Sequence, residues 1–257
     1  MRRTTRFRSL APVAVLAVVA FSATACNGDS DKDADAPETV IVNQDGETIG
    51  GDPSTVAPLT ADQISQAVLQ DANMGQGWTS APSTEDDTTA PGCLADVETL
   101  TDGLEESDKA GTEFSYGDIL TVESTVSAYP DATALGAVFD QVQTAVAACT
   151  SVTGPDGSGN DWDLTLTSTD DAGYEGVDDQ YSTSGSGTLT TSDGTEVDIY
   201  LEQTAVRIGP NVASISTFDI KPRTTEHDVW AQIGVDRFVA VANGEEPAAT
   251  TAPAPTD

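Results

Sequence analysis

Residues 192–220, SDGTEVDIYLEQTAVRIGPNVASISTFDI, decide the fold. Ser192-Asp193-Gly194 and Gly209-Pro210-Asn211 are turn sequences, and the segments that follow them, 195–207 and 212–220, have strand-like composition and alternation. Strands joined by turns this short must run antiparallel. The stretch therefore predicts consecutive strands of an antiparallel meander.

Further strand patterns lie upstream of this stretch. Residues 162–169 (WDLTLTST) alternate apolar and polar side chains, and residues 173–191 form one or two strands around two glycines. Residues 113–129 (EFSYGDILTVESTVSAY) carry β-branched and aromatic side chains, which predicts one more strand. All these strands belong to the same predicted sheet.

Helical spacing flanks and interrupts the strands. Thr60-Ala61-Asp62-Gln63 is a capping-box pattern before an apolar stripe, and a short amphipathic segment begins at Cys93. Asp131 caps the clearest helix, which runs to about Ala148, and a last helix begins near Thr225. The order predicts a single α+β domain over residues 59–244, with helices packed on one face of an antiparallel sheet.

The N-terminus has the order of a secretory signal. Four arginines precede the apolar run Leu10 to Phe21, which would cover roughly 18 Å as a helix, short of a hydrocarbon core of about 30 Å. Ala23-Thr24-Ala25-Cys26 resembles the lipobox of bacterial lipoproteins. We therefore predict a signal peptide over 1–25 and a Cys26 thiol that carries a membrane-anchoring lipid. Ordinary cleavage after Ala25, with a free Cys26 thiol, is the alternative.

Two flanking segments lack the apolar periodicity of a folded element. Residues 26–58 are acidic and poor in aromatics, which predicts a disordered tether behind the lipid. The alternating acids from Asp29 to Asp35 lack the glycine and glutamate of a calcium loop, so we interpret them as part of this tether. Residues 245–257 (EEPAATTAPAPTD) predict a disordered Pro/Ala/Thr tail.

Three cysteines are present, and lipid on Cys26 would leave Cys93 and Cys149 as an even pair. Exported proteins occupy compartments where disulfides persist, so we predict a bond between these two thiols. The alternative is two buried thiols that never meet.

The net charge of the chain limits the classes of molecule that it can bind. Against 43 acidic residues stand 10 lysines and arginines, a net charge of −33 that repels nucleic acid. We expect no nucleic-acid partner, no cofactor and no specific metal site. The contacts that we do expect are the membrane, through the lipid on Cys26, and an unknown small ligand or envelope protein.

The acidic loops hold the groups that an enzyme would need. Carboxylates there could share a cation or form the acid pair of a glycoside hydrolase, but their spacing favours acidic surface over either. His227 is the only histidine and stands between two acids, so we predict an exposed residue at a helix start and no catalytic site. The loop acids are Asp156, Asp161, Asp163, Asp170, Asp171, Asp178 and Asp179.

Aromatic side chains are the groups best able to line an apolar cleft, and most of them are expected in the core. Tyr181 and Tyr200 lie on strands whose alternate face is polar. We therefore predict these two tyrosines as ligand-binding residues.

The succession of these features resembles a known family. A lipobox and an acidic tether precede a helix that starts LTADQ, a cysteine near a short helix, a strand that ends AYPDA and the helix AVFDQVQTAVAAC. This order is similar to the PknH-like extracellular sensor domain, found on actinobacterial serine/threonine kinases and in free-standing lipoproteins. The similarity covers roughly residues 59–244.

The resemblance implies an α+β domain with a cleft for an unidentified ligand, and a disulfide that matches Cys93 and Cys149. The second, later disulfide common in the family has no counterpart, because no cysteine follows Cys149. We expect a non-catalytic lipoprotein on the extracytoplasmic face of the cell membrane. An envelope hydrolase that uses paired loop carboxylates, or a pocketless scaffold for a membrane partner, is the alternative.

The lipid assignment predicts that Cys26→Ser releases the protein from the membrane, because the thioether can no longer form. Mass spectrometry of the wild-type mature protein should show a diacylglyceryl group at its first residue. An unmodified N-terminus in the wild type would contradict the assignment.

Overall fold

The structure, a computed structural model, describes residues 56–84, 89–101 and 103–255. The predicted signal peptide, Cys26 and nearly all of the predicted tether lie outside the described residues. The elements run in the order α1 (Ala61–Ala67), β1 (Trp78–Pro82), α2 (Cys93–Thr101), β2 (Asp108–Tyr116), β3 (Leu120–Ala128), α3 (Ala132–Ala148), β4 (Ser151–Pro155), β5 (Asp161–Thr169), β6 (Asp179–Thr190), β7 (Glu196–Ile208), β8 (Asn211–Asp219) and α4 (Thr224–Ala242).

One eight-stranded antiparallel sheet organises the described residues, in the order β1-β2-β3-β8-β7-β6-β5-β4. Two meanders meet where β3 pairs with β8, with Thr125 opposite Ser214. The chain leaves the first meander after β3, passes through α3 and enters the second meander at the far edge, β4. The predicted α+β class with an antiparallel sheet is confirmed.

Helices lie on both faces of this sheet, whereas the sequence predicted one face. Val206 of β7 packs in one core with α1 and α4, and its neighbour Ala205 packs in another with α2 and α3. Successive strand residues point to opposite faces, so these two helix pairs must be on opposite sides. The prediction was wrong because β7 and β8 carry apolar residues at both odd and even positions. Both faces of these strands therefore need helices to cover them.

The α1–α4 face carries the larger core. Trp230 and Phe238 of α4 are fully buried against Phe114 and Ile215 of the sheet. A Cβ at Gly234 would lie 2.8 Å from Ile215, so this glycine lets α4 approach the strands closely. Large side chains therefore fill this interface.

The opposite face is tied by the disulfide. Cys93, the first residue of α2, is bonded to Cys149, which follows α3, with 5.7 Å between their Cα atoms. The predicted pairing is confirmed. The bond holds α2 beside the end of α3, where the side chain of Trp162 is buried beneath them.

The sequence patterns gave a wrong prediction for one hairpin and did not reveal two short strands. The predicted single strand over 113–129 is a hairpin, because the chain turns at Gly117, whose φ of +65° favours glycine. The sequence prediction also missed β1 and β4, the two edge strands. Both are five residues long and contain proline, so neither carries a clear strand pattern.

The C-terminal segment packs against the domain, in contrast to the disordered tail predicted for residues 245–257. The Ala252 N–H donates to the Asn73 carbonyl at 2.8 Å, and Asn73 Nδ2 donates to the Thr250 carbonyl at 2.7 Å. Ala252 is only 3% exposed and joins the α1–α4 core. Small residues dock here because Gly75 leaves room for their backbone.

Within the described ranges, no helix combines the length and the apolar character that a membrane crossing requires.

Removal of the disulfide should lower stability, because the bond closes a loop of 56 residues in the unfolded chain. The double variant Cys93→Ala/Cys149→Ala is expected to lose about 4 kcal/mol of unfolding free energy, measured by urea denaturation. Wild-type protein unfolded in the presence of dithiothreitol is the control and should show a similar loss. A loss below about 1 kcal/mol in both would contradict the cross-link argument.

Candidate functional site

A cleft lies between the α2–α3 layer and the sheet. Its empty volume is about 620 Å³, which includes space open to solvent. The spacing of the apolar residues of α3 brings them onto its sheet-facing side, where they form one wall. The lining residues are Val97, Glu98, Thr101, Leu104, Tyr129, Leu135, Val138, Phe139, Val142, Tyr181, Gln203, Ala205, Val212 and Ser214.

The cleft exists because the sheet floor beneath α3 is built from short side chains. Ala205, Val212 and Ser214 point to this face of β7 and β8. On the opposite face of the same strands, Val206 and Ile215 meet the large side chains of α4. The α4 interface closes, whereas a gap remains under α3.

Gln203 is the polar group at the floor of the cleft. Its side chain is buried, with 5% of the residue exposed. Nε2 donates to Ser214 Oγ at 3.3 Å, while Oε1 is buried and has no hydrogen-bond partner among the described residues. An amide oxygen deprived of both water and a donor is costly, so this atom is suited to accept a hydrogen bond from a bound molecule.

Two tyrosines line the cleft beside α3. The rings of Tyr181 and Phe139 pack with centroids 5.6 Å apart, and burial raises the pKa of the Tyr181 phenol. Tyr129 donates to Glu106 Oε1 at 3.2 Å, and its pKa is raised by burial and by the Glu106 charge. Both phenols therefore remain protonated at neutral pH and can pack as apolar rings with a polar end.

The two predicted ligand-binding tyrosines lie on opposite faces of the sheet. Tyr181 is opposite Ala205 in the β6–β7 pairing and lines the cleft. Tyr200 is opposite Ser186 and belongs to the other side of β7. One ligand in the cleft can contact Tyr181 but not Tyr200, so the predicted pair does not form a single site.

A second concavity lies on the open face of β2 and β3. Glu113 and Glu123 are directly opposite across these strands, and Ser83 donates a hydrogen bond to Glu123. Burial raises the pKa of Glu123, against lowering by Ser83 and by the charge of Lys109. Burial also raises the pKa of Glu113, and the nearby Glu123 charge adds to the effect.

This concavity adjoins the floor of the cleft. Thr125 lines the second concavity and is paired with Ser214, which lines the cleft. In the next row, Glu123 is paired with Ser216, and Ser216 with Gln203. Since neighbouring strands are about 4.8 Å apart, Glu123 and Gln203 are about 10 Å apart on one sheet face.

The seven loop aspartates do not converge on either cavity. Asp178 and Asp179 pair with Arg207. Asp156 is buried; burial acts to raise its pKa, but hydrogen bonds from Trp162, Asn160 and Ser158 outweigh burial and lower it. Among the described residues, no group of three or more histidine, cysteine or acidic side chains is arranged to hold a metal ion.

His227 is buried, whereas the sequence predicted an exposed residue. It is 3% exposed, with Nε2 3.1 Å from Thr204 Oγ1 and Nδ1 2.9 Å from Thr217 Oγ1. The acidic neighbours Glu226 and Asp228 misled the prediction, because each helical residue turns by about 100° and adjacent side chains point in different directions. His227 begins the buried stripe of α4 on the face away from the cleft.

Gln203 was missed by sequence reasoning. It lies within the predicted strand 195–207, but nothing in the local pattern separates it from the polar residues around it. Its importance comes from the space above it, which depends on the distant helix α3.

Comparison with known proteins supports the fold. The chain is similar to the crystal structure of the extracellular domain of PknH from Mycobacterium tuberculosis, with a TM-score of 0.54 and 13% sequence identity over 74% of this chain and 100% of that one. An uncharacterized protein from Mycobacterium smegmatis covers 74% of this chain and 99% of its own, with 10% identity and a TM-score of 0.35. No family model matches the chain, and no curated protein matches its sequence. The similarity to the PknH extracellular domain confirms the resemblance to the PknH-like sensor domain at the level of the fold.

Burial of His227 predicts a pH-dependent loss of stability. Burial lowers its pKa from 6.5 to about 4, so the folded protein keeps the ring neutral while the unfolded chain binds a proton. The stabilisation is complete above pH 6.5 and is lost as pH falls toward 4, by about 3 kcal/mol in all.

Urea denaturation of the wild type and His227→Gln between pH 7 and pH 4 measures this loss. The difference between the two unfolding free energies should shift by about 3 kcal/mol over this range. Since the chain has no other histidine, a constant difference would contradict the assignment.

Proposed function

We propose that this chain is a non-catalytic, sensor-like domain of the cell envelope that binds a ligand in the cleft under α3. The lipid on Cys26 would hold it at the extracytoplasmic face of the membrane. The observation that carries the proposal is an apolar cleft whose floor contains a buried amide oxygen with no hydrogen-bond partner in the part of the chain that the structure describes. Sites for small molecules commonly combine apolar walls with a few polar groups of this kind.

Three further observations support the compartment. The fold is similar to a domain described as extracellular. The Cys93–Cys149 bond suits an oxidising environment, and the N-terminal sequence has the order of a lipoprotein signal.

Several of the loop carboxylates proposed for the catalytic pair of a hydrolase are engaged in other contacts. Of the loop acids, Asp156 accepts from the Trp162 indole and the turn around it, and Asp178 and Asp179 neutralise Arg207. A catalytic pair needs two carboxyls that face one substrate pocket, with one pKa raised. The loop acids that pair with Arg207 or accept from the Trp162 indole are committed to these contacts, which counts against a hydrolase built on the loop acids.

Blockage of the cleft should remove ligand binding. Val138 is half-buried on α3 and lines the cleft, so Val138→Trp fills the space without disturbing a closed core. The neighbouring Ala137 is exposed on the same helix, and Ala137→Trp is the matched control. Thermal shift against a panel of envelope lipids and glycans should show ligands that stabilise the wild type and the control but not Val138→Trp.

At a ligand concentration of 100 times Kd, stabilisation of about 2.7 kcal/mol is expected for the wild type. Equal stabilisation of Val138→Trp would place the site elsewhere. No stabilisation of the wild type across the panel would contradict a small-ligand function and favour the scaffold alternative.

A further inference from the structure

The floor of the cleft is short of one hydrogen-bond donor. Gln203 Nε2 is occupied by Ser214, and Oε1 on the same amide is buried without a partner among the described residues. The neighbouring floor residues Ala205 and Val212 have no side-chain donor to offer. A molecule that fills the cleft must bring a donor with it or leave the oxygen unpaired.

The walls determine the rest of the ligand. Leu135, Val138, Phe139 and Val142 of α3 present a continuous apolar surface above the floor. Such a surface stabilises an aliphatic chain, because binding buries the apolar area of both. Polar groups are confined to few positions, so the ligand has one polar end and one apolar end.

The charge around the cleft excludes an acidic head. Among the described residues that line the cleft, Glu98 is the only charged one, and Glu106 accepts from the lining residue Tyr129. None of the lining residues is lysine, arginine or histidine. A carboxylate or phosphate placed beside Gln203 would meet an acceptor oxygen, and none of the described lining residues would offer it a cation.

The sheet face beside the cleft also carries acceptor oxygens that suit hydrogen-bond donors on a ligand. Outward from Gln203, the transverse row of residues passes Ser216 to Glu123, with Glu113 one strand further. These side chains offer mainly acceptor oxygens to anything that extends from the cleft, although the cation Lys109 lines the same concavity and its charge acts on Glu123. Additional donors on the head group would therefore find partners there.

We propose that the ligand is an uncharged amphiphile, an aliphatic chain whose amide or hydroxyl head donates a hydrogen bond to Gln203 Oε1. This inference rests on the proposed function of the cleft and adds the chemical class of its ligand. It excludes free fatty acids and phosphate-headed amphiphiles as ligands of this site.

Two isomeric probes isolate the donor. N-ethyldecanamide and N,N-dimethyldecanamide contain the same atoms and no charge, but only the first has an N–H. Isothermal titration calorimetry of the oxidised protein should show about tenfold tighter binding of N-ethyldecanamide, the effect of one hydrogen bond. Decanoate, the anionic probe of matched chain length, should bind more weakly than either.

A substitution of Gln203 distinguishes the contribution of this hydrogen bond from the rest of the binding free energy. Gln203→Met keeps the length of the side chain and removes the oxygen, so it should bind the two isomers equally. Gln141→Met makes the same change at an exposed position of α3 and should keep the tenfold preference. Circular dichroism checks that both variants are folded. If Gln203→Met does not fold, Gln203→Glu serves in its place and should still prefer the N–H isomer, because it retains an acceptor oxygen.

The outcomes separate this inference from the proposed function. Equal binding of the isomers to the wild type, or tighter binding of decanoate, overturns the donor inference, while cleft binding stands if Val138→Trp abolishes it. A preference that persists in Gln203→Met also overturns it. No binding of any probe overturns the ligand class, and the wider lipid and glycan panel then decides whether the cleft binds a ligand at all.

Discussion

Strand β7 is buried on both faces, and the rest of the structure depends on how differently its two faces are covered. Residues 201 to 206 are all buried, so every side chain in this stretch belongs to one core or the other. Val206 contributes to the α4 interface, which large side chains fill. Ala205 and Gln203 face α3, where short residues leave a space. A closed core and an open cleft therefore share one strand.

This arrangement places the larger core on one face of the sheet and the proposed ligand site on the other. The α1–α4 face carries the larger core, with Trp230, Phe238 and His227 of α4 all buried, so its packing stabilises the sheet. The α2–α3 face is held at one end by the Cys93–Cys149 bond. The helix pair that covers the cleft, α2 and α3, is separated by the sheet from the pair that forms the larger core, α1 and α4.

Most features that depend on neighbouring residues were predictable from the sequence, although the turn at Gly117 was missed, and most that depend on distant residues were not, apart from the Cys93–Cys149 bond. The Asp131 side chain accepts from the N–H groups of Thr133 and Ala134, as a helix cap does, and the turns of the second meander form where their sequences predict them. Edge strands such as β4 form only because β5 offers them a partner. The cleft and the unpaired oxygen of Gln203 arise where α3 crosses strands that are distant in sequence, so no local pattern identifies them.

The position of the ligand is the central claim, and methyl NMR tests it most directly. Spectra of the protein with labelled valine methyl groups should be recorded during titration with N-ethyldecanamide. The account predicts shift changes and intermolecular NOEs at Val138, Val142 and Val212, which line the cleft. Changes confined to Val206 and Val235, in the core on the opposite face, would show that the ligand enters elsewhere and would contradict the account.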